Sequence, residues 1–441
     1  MKYLIDHTPR MATKYFSSYE EREESFRKIV FSLIPRKYSG PRLFWSDFKN
    51  ITLDELMKFI RQPCAYITSN PRDGLAFGTP WQVLKAAVMS ARKTNQARIL
   101  SVEKIAADYV ISDLLMQPLR TLSGGETVKL ALAKASIASY YSNKLIIASP
   151  FSWLSRENKI FFQKLYDHYA RSEIPIELFA LEGEDSEEPV SGSDFQRAFW
   201  MHTTDFILHL KGLQISLGSS LNPIHSRQAV ARVEDFESAL VSPCLIVGEN
   251  GQGKSLIAKV LAGAIAFDGR AEIVCEETSG PARLLFQDVI SQTLLRSFDA
   301  IAATSSPNNG LKPIELCEAI LKASWEYATH FGKSVEEKKY LNSNGFRSLL
   351  EVKAILIAVR LCNRPNALIL DEPDWGLTRA SAIALVAAVI KIAHELGTPV
   401  ILISHKPWWP TIANSIIQVE RTPKTINDKG GSSFEIRLSR C

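Results

Sequence analysis

The chain has 441 residues, 46% of them apolar and 22% charged, which is too long for one ordinary core at about 150 residues per domain and too apolar for wholesale disorder. Its net charge of +5 is drawn from scattered residues, so bulk charge offers little support for a nucleic-acid partner and favours a solvated basic surface. The six cysteines, Cys64, Cys244, Cys275, Cys317, Cys362 and Cys441, form no C-x-x-C pair, which argues against a zinc site or a disulfide framework and fits a reducing compartment.

Along the chain, the opening Met-Lys-Tyr-Leu-Ile-Asp-His meets charge too early for a signal peptide, and no uncharged run reaches bilayer length. A cytoplasmic location is expected, with any attachment to the inner face of the cell membrane made through a partner. Residues 1–60 resist placement. Their charged run at 19–31 fits either a remodelled sheet or a partner-binding extension.

Next, Leu122-Ser123-Gly124-Gly125-Glu126 precedes the run TVKLALAKASIA. Ser123 and Glu126 have capping-box spacing, which predicts a helix whose first N–H groups, those of Gly124 and Gly125, are unobstructed by side chains. That suits a phosphate presented by another domain; the plainer reading is a capped surface helix. Strands are expected at 144–148 and 175–180. The stretch 182–194 carries six acidic residues and no basic one, so a linker is set at 182–200, between a first domain at 1–181 and a second at 201–441.

In the second half, a short buried strand at 243–247 runs into Gly248-Glu249-Asn250-Gly251-Gln252-Gly253-Lys254-Ser255, and a helix is expected at 255–264. This is a complete G-x-x-x-x-G-K-[ST] loop between strand and helix. Its glycines let backbone N–H groups surround phosphate oxygens, the helix offers its positive end, Lys254 reaches the terminal phosphates and Ser255 ligates Mg2+. A second strand, 367–370, ends in Asp371 and Glu372. Asp371 suits Mg2+ and Glu372 suits an attacking water, although carboxylates at a strand end also cap helices. Gln287, after an apolar stretch, and His405, after a strand at 399–403, are placed to sense the metal and to reach the γ-phosphate. A helix is expected at 379–395, and Trp408 and Trp409 fit core better than contact surface. Strands alternating with helices predict an α/β fold of mainly parallel sheets.

GENGQGKS, FQD, LSGGE, LILDEP and ISH in this order resemble the Walker A, Q-loop, signature, Walker B and switch-histidine elements of ATP-binding-cassette (ABC) ATPases. The resemblance covers both halves and implies two P-loop NTPase cassettes with helical subdomains, which pair head to tail with ATP between the P-loop of one and the signature of the other. It implies ATP held by Gly248, Asn250, Gly251, Gly253, Lys254 and Ser255 with Ser123, Gly124 and Gly125, Mg2+ held by Ser255, Gln287 and Asp371, and hydrolysis served by Glu372, His405 and Gln287.

Departures from the family pattern are unequal. The first half has no P-loop, reads Ala148-Ser149-Pro150 where the family has Asp-Glu-Pro, has Ser69 for the Q-loop glutamine and lacks the histidine. At the position of the second signature, Arg347-Ser348-Leu349-Leu350-Glu351, leucines replace both glycines. Each half thus retains what the other has lost, which implies one working composite site. Asn70 to Phe77 resembles the segment after the Q-loop of energy-coupling-factor importers, and tandem cassettes of molybdate or cobalt uptake are similar in plan. The expected partner is therefore a membrane-embedded transporter subunit; the alternative is a soluble ABC ATPase working on nucleic acid, the ribosome or another protein complex.

Overall fold

The computed structural model describes residues 11–17, 21, 22, 25, 64–68, 71, 75, 78–92, 100–119, 122, 124–148, 156–181, 201–217, 229–249, 251–276, 278, 280–287, 289, 301, 302, 311–329, 348–406, 408–422, 425, 426 and 432–441. Ser123, Asn250 and the expected linker at 182–200 lie outside them. Two units separate by internal contacts, Met1–Asp185 and Ser186–Cys441.

The first unit contains β1 (Met11–Phe16), β2 (Cys64–Ile67), α1 (Pro80–Arg92), α2 (Val102–Asp108), α3 (Gly124–Ala138), β3 (Lys144–Ala148), α4 (Arg156–Arg171) and β4 (Ile176–Leu181). Pro80 opens α1 with a φ already suited to helix. In front of it the Thr79 N–H donates to Gln82 Oε1 at 3.0 Å and the Gln82 N–H to Thr79 Oγ1 at 3.4 Å, a reciprocal cap. Ser101 caps α2 by accepting from the Lys104 N–H at 3.1 Å. The strands run β1-β4-β3-β2, all parallel. Leu145, Ile146 and Ile147 of β3 are buried, as expected for a parallel strand covered on both faces. The side chain of Tyr169 on α4 closes the helical layer by donating to the Ala135 carbonyl of α3 at 2.8 Å.

The second unit runs β5 (Asp205–Leu217), β6 (Ala229–Val233), β7 (Phe236–Val241), β8 (Cys244–Val247), α5 (Lys254–Leu261), β9 (Asp268–Val274), β10 (Arg283–Leu285), α6 (Pro313–Thr329), α7 (Leu349–Leu361), β11 (Leu368–Asp371), α8 (Arg379–Glu395), β12 (Val400–Ile403), β13 (Ser415–Arg421), β14 (Thr425–Ile426) and β15 (Ser432–Arg440). Helix α5 is shorter than the expected 255–264. The Gly263 N–H turns back to the Val260 carbonyl at 2.9 Å and the Ala264 N–H to the Lys259 carbonyl at 2.8 Å, a Schellman closure that ends the helix.

The sheet of this unit is parallel from β10 through β11, β12 and β8 to β13. Beyond that, β15 pairs antiparallel to β13, and β5 pairs antiparallel to β6, β7 and β9. The expectation of a mainly parallel sheet therefore holds for the part that carries the strand-end motifs, while an antiparallel arm extends it. Strands β6 and β7, separated by two residues, follow one another along β5 and both pair antiparallel with it.

The two sheets share one strand order. In the second, the neighbours are β10-β11-β12-β8; in the first they are β2-β3-β4-β1. Strand β1 thus fills the slot that β8 fills in the second unit, which assigns Met11–Phe16 to the sheet. The residue after β1, Ser17, donates through N–H and Oγ to the Glu21 carboxylate at 3.2 and 2.6 Å. Among the described residues no helix is long and apolar enough to cross a membrane.

Candidate functional site

Strand β8 is buried and delivers the chain into the glycine loop. Gly248 has φ +151 and an added Cβ would lie 2.5 Å from the Val419 carbonyl oxygen; Gly253 has φ +105 and an added Cβ would lie 2.6 Å from Ile436 Cδ1. Both positions require glycine because the backbone is left-handed there and pressed against β13 or β15. The loop is tied from outside by Arg421 at the end of β13. Its N–H donates to Gln252 Oε1, and its Nη1 donates to the Gly251 carbonyl at 3.2 Å. Its guanidinium is 3.6 Å from the centre of the Phe434 ring, a cation–π contact that orients it.

Lys254 begins α5 and is buried, with Nζ donating to the carbonyls of Gly248 at 2.6 Å and Glu249 at 3.0 Å. Burial lowers its pKa, opposed by the charges of Glu372, Asp371 and Glu249. These effects place the lysine, Asp371 and Glu372 in one electrostatic neighbourhood.

The last residue of β11, Asp371, is buried, and its Oδ1 has no hydrogen-bond partner among the described residues. Burial, followed by the charge of Glu372, raises its pKa to about 7, against a hydrogen bond from Ser255 and the charge of Lys254. A buried carboxylate oxygen left unpaired beside a serine hydroxyl is costly in the protein alone. It fits a divalent cation with oxygen ligands, so Asp371 and Ser255 are suited to hold Mg2+.

Glu372 has φ +49, a conformation uncommon outside glycine. Its N–H donates to the Ile403 carbonyl at 2.8 Å, and its own carbonyl accepts from the Trp375 N–H at 3.0 Å. Oε1 is 2.9 Å from His405 Nδ1, and Oε2 accepts from Ser404 Oγ at 3.0 Å. Burial would raise this carboxyl, but the His405 charge and hydrogen bond, with Lys254 and Ser404, outweigh it and lower the pKa. Glu372 therefore stays ionised. His405 Nε2 is buried without a hydrogen-bond partner among the described residues. Ser404 Oγ also lies 3.0 Å from Asp374 Oδ1, which accepts from Trp409 Nε1 at 3.1 Å. Trp408 and Trp409 are both buried, and Trp409 serves the site as well as the core.

Gln287 follows β10 in the slot next to β11, with its side chain exposed. Gly124 and Gly125 open α3 in the first unit: Gly124 is exposed with nothing within 4 Å of an added Cβ, whereas Gly125 is buried. The corresponding helix of the second unit, α7, is closed at its start. Ser348 Oγ accepts from the Glu351 N–H and Glu351 Oε2 accepts from the Ser348 N–H, each at 3.2 Å. Leu349 turns into the core at 3% exposure, so its side chain does not project into the approach to this helix start.

Sequence reasoning missed Ser404, Asp374, Trp409 and Arg421, and also Lys353 and Arg360 on α7. The last two were detectable as basic residues in the otherwise apolar LLEVKAILIAVRL.

Fold and site together resemble those of ATP-binding-cassette ATPases. No family model matches the chain, but individual relatives do. It is 26% identical over 197 residues to the zinc import ATP-binding protein ZnuC of Saccharophagus degradans, covering 42% of this chain and 69% of that protein. It is 28% identical over 210 residues to the energy-coupling factor transporter ATP-binding protein EcfA1 of Symbiobacterium thermophilum, covering 44% and 71%. In fold it is similar to a chain of the model of ribosome-bound archaeal Pelota and ABCE1, with TM-score 0.54 and 14% identity over 98% of this chain and 75% of that one.

Proposed function

We propose that the protein hydrolyses Mg·ATP at one composite site, to which the second unit brings Gly248, Asn250, Gly251, Gly253, Lys254, Ser255, Gln287, Asp371, Glu372 and His405, and the first unit brings Ser123, Gly124 and Gly125. The observation that carries this reading is the start of α3, where Gly124 is exposed and nothing lies within 4 Å of an added Cβ. No side chain at that position stands between an approaching γ-phosphate and the backbone N–H groups of the first turn.

In this reading the glycine loop and Lys254 hold the phosphates. The ionised Glu372, locked by His405 and Ser404, orients the attacking water and takes its proton. Mg2+ bound by Asp371 and Ser255, with Gln287, would neutralise charge on the phosphate oxygens. His405 Nε2 reaches the γ-phosphate. ATP draws the Gly124 turn onto the second unit, hydrolysis removes that bridge, and the units work as a nucleotide-driven clamp.

The clamp drives a membrane-embedded transporter subunit, a reading supported by the import and energy-coupling relatives. Capture of the chain's partners from detergent-solubilised membranes tests it. Recovery of an integral membrane protein supports transport, and recovery of only ribosomal or other soluble complexes replaces it with soluble work.

The composite site is tested by Gly124→Val. Because open space surrounds an added Cβ at Gly124, the variant should melt within about 1 °C of the parent, as for an unstrained surface change. It should still bind ATP and should lose turnover by about a hundredfold. Parental turnover in this variant removes the first unit from the site.

A further inference from the structure

Helix α7 carries two cations that the nucleotide motifs leave unexplained. Lys353 is 1% exposed, and its Nζ donates to the Pro373 carbonyl at 2.7 Å. Seven residues on, Arg360 Nε donates to the Leu284 carbonyl at 2.7 Å, while its Nη1 donates to the Leu356 carbonyl of its own helix at 2.8 Å. Seven residues are close to two helical turns, so both side chains leave the same face of α7.

The carbonyls they reach belong to two different parts of the site. Pro373 directly follows Glu372 and belongs to the left-handed turn that aims that carboxylate. Leu284 belongs to β10, the strand that ends just before Gln287. Packing alone does not call for charge at these positions. The rest of α7 is almost wholly apolar and buried, and a hydrophobic residue of similar volume serves a core as well as a desolvated cation or better. What the cations add is direction, since a charged donor holds a carbonyl at a fixed place more strongly than a neutral one. Burial lowers the pKa of Arg360 to about 10, as expected of a guanidinium withdrawn from water.

We propose that α7, having lost its own phosphate-binding start, serves as an internal brace: Lys353 positions Glu372 through the Pro373 turn, and Arg360 positions the end of β10 that presents Gln287. The two are positioning residues. A shift of this one helix moves the water-handling carboxylate and the metal-sensing glutamine together. The proposal rests on the reading of Glu372 as the residue that handles the attacking water.

The test is ATP hydrolysis, ATP affinity and melting temperature for the full chain and for Lys353→Met, Lys353→Arg and Arg360→Lys. Lys353→Met keeps the stem and removes the donor. It should lower kcat at least about tenfold, as misplacement of a catalytic group does, while Kd for ATP stays within about twofold. Lys353→Arg should recover much of the loss. Arg360→Lys, which keeps the charge and shortens the reach, should show the same split between kcat and Kd. The proposal is overturned if Lys353→Met turns over ATP at the parental rate, or if kcat, affinity and folding fall together without recovery by arginine. Should Lys353→Met fail to fold, Arg360→Lys decides alone, and parental kcat in it overturns the proposal. Glu372→Gln run alongside separates the two ideas. Normal turnover in that variant sinks the role of Glu372 itself, whatever Lys353 does.

Discussion

His405 Nδ1 and Glu372 Oε1 stand 2.9 Å apart, so the histidine spends one ring nitrogen on the glutamate and keeps the other, Nε2, for something else. This division makes the two side chains a unit in which the glutamate is held ionised and the imidazole is oriented. Glu372→Gln keeps the shape and removes the base. Turnover should fall by about a hundredfold or more with ATP still bound, and retention of radiolabelled ATP after rapid filtration checks it. Fast release of ADP and phosphate from the variant contradicts the assignment.

The pKa of Asp371, raised to about 7, has a consequence for the metal-free protein. A carboxyl whose folded pKa exceeds its unfolded value binds protons more tightly when folded, so its contribution to stability falls as pH rises from about 4 to about 7 and is level above that. The lowered Glu372 acts with the opposite sign at lower pH, where protonation removes its contribution. Thermal melts in chelator should therefore show Asp371→Asn flattening the decline between about pH 4 and pH 7. An unchanged slope in the variant excludes Asp371 as its source.

Gly253 combines φ +105 with close contact from Ile436. Gly253→Ala should cost about 1–3 kcal/mol of stability and weaken ATP binding, because the strain falls on the turn that presents N–H groups to phosphate. Denaturant unfolding and ATP titration measure the two effects. Ile436→Val, which removes a methyl from the contact but leaves the left-handed φ, should recover only part of the loss. Full recovery locates the problem in packing alone.

The site-bearing strands were legible because each ends in chemistry that tolerates little variation: Gly248 to Ser255 after β8, Asp371 and Glu372 after β11, His405 after β12. Helix α8 at Arg379–Glu395 has the predicted bounds because Thr378 caps its start, accepting from the Ser381 N–H at 3.3 Å. Strand β1 was not legible. Its sequence, MATKYF, leads into no glycine turn, and its place in the sheet is set by pairing with β4, far away in sequence. Leu349, which stands where the family signature has a glycine, is drawn into the core, since a side chain at a helix start goes where apolar surface is available. The roles of Lys353 and Arg360 depend on which carbonyls lie opposite α7, and sequence periodicity does not carry that information.

The most direct measurement is a structure of the Glu372→Gln chain with Mg·ATP. The expected result is one nucleotide per chain, its phosphates cradled by Gly248 to Ser255 and its γ-phosphate against the N–H groups of Gly124 and Gly125. A triphosphate remote from Gly124, or a second magnesium nucleotide held by the first unit alone, contradicts the account.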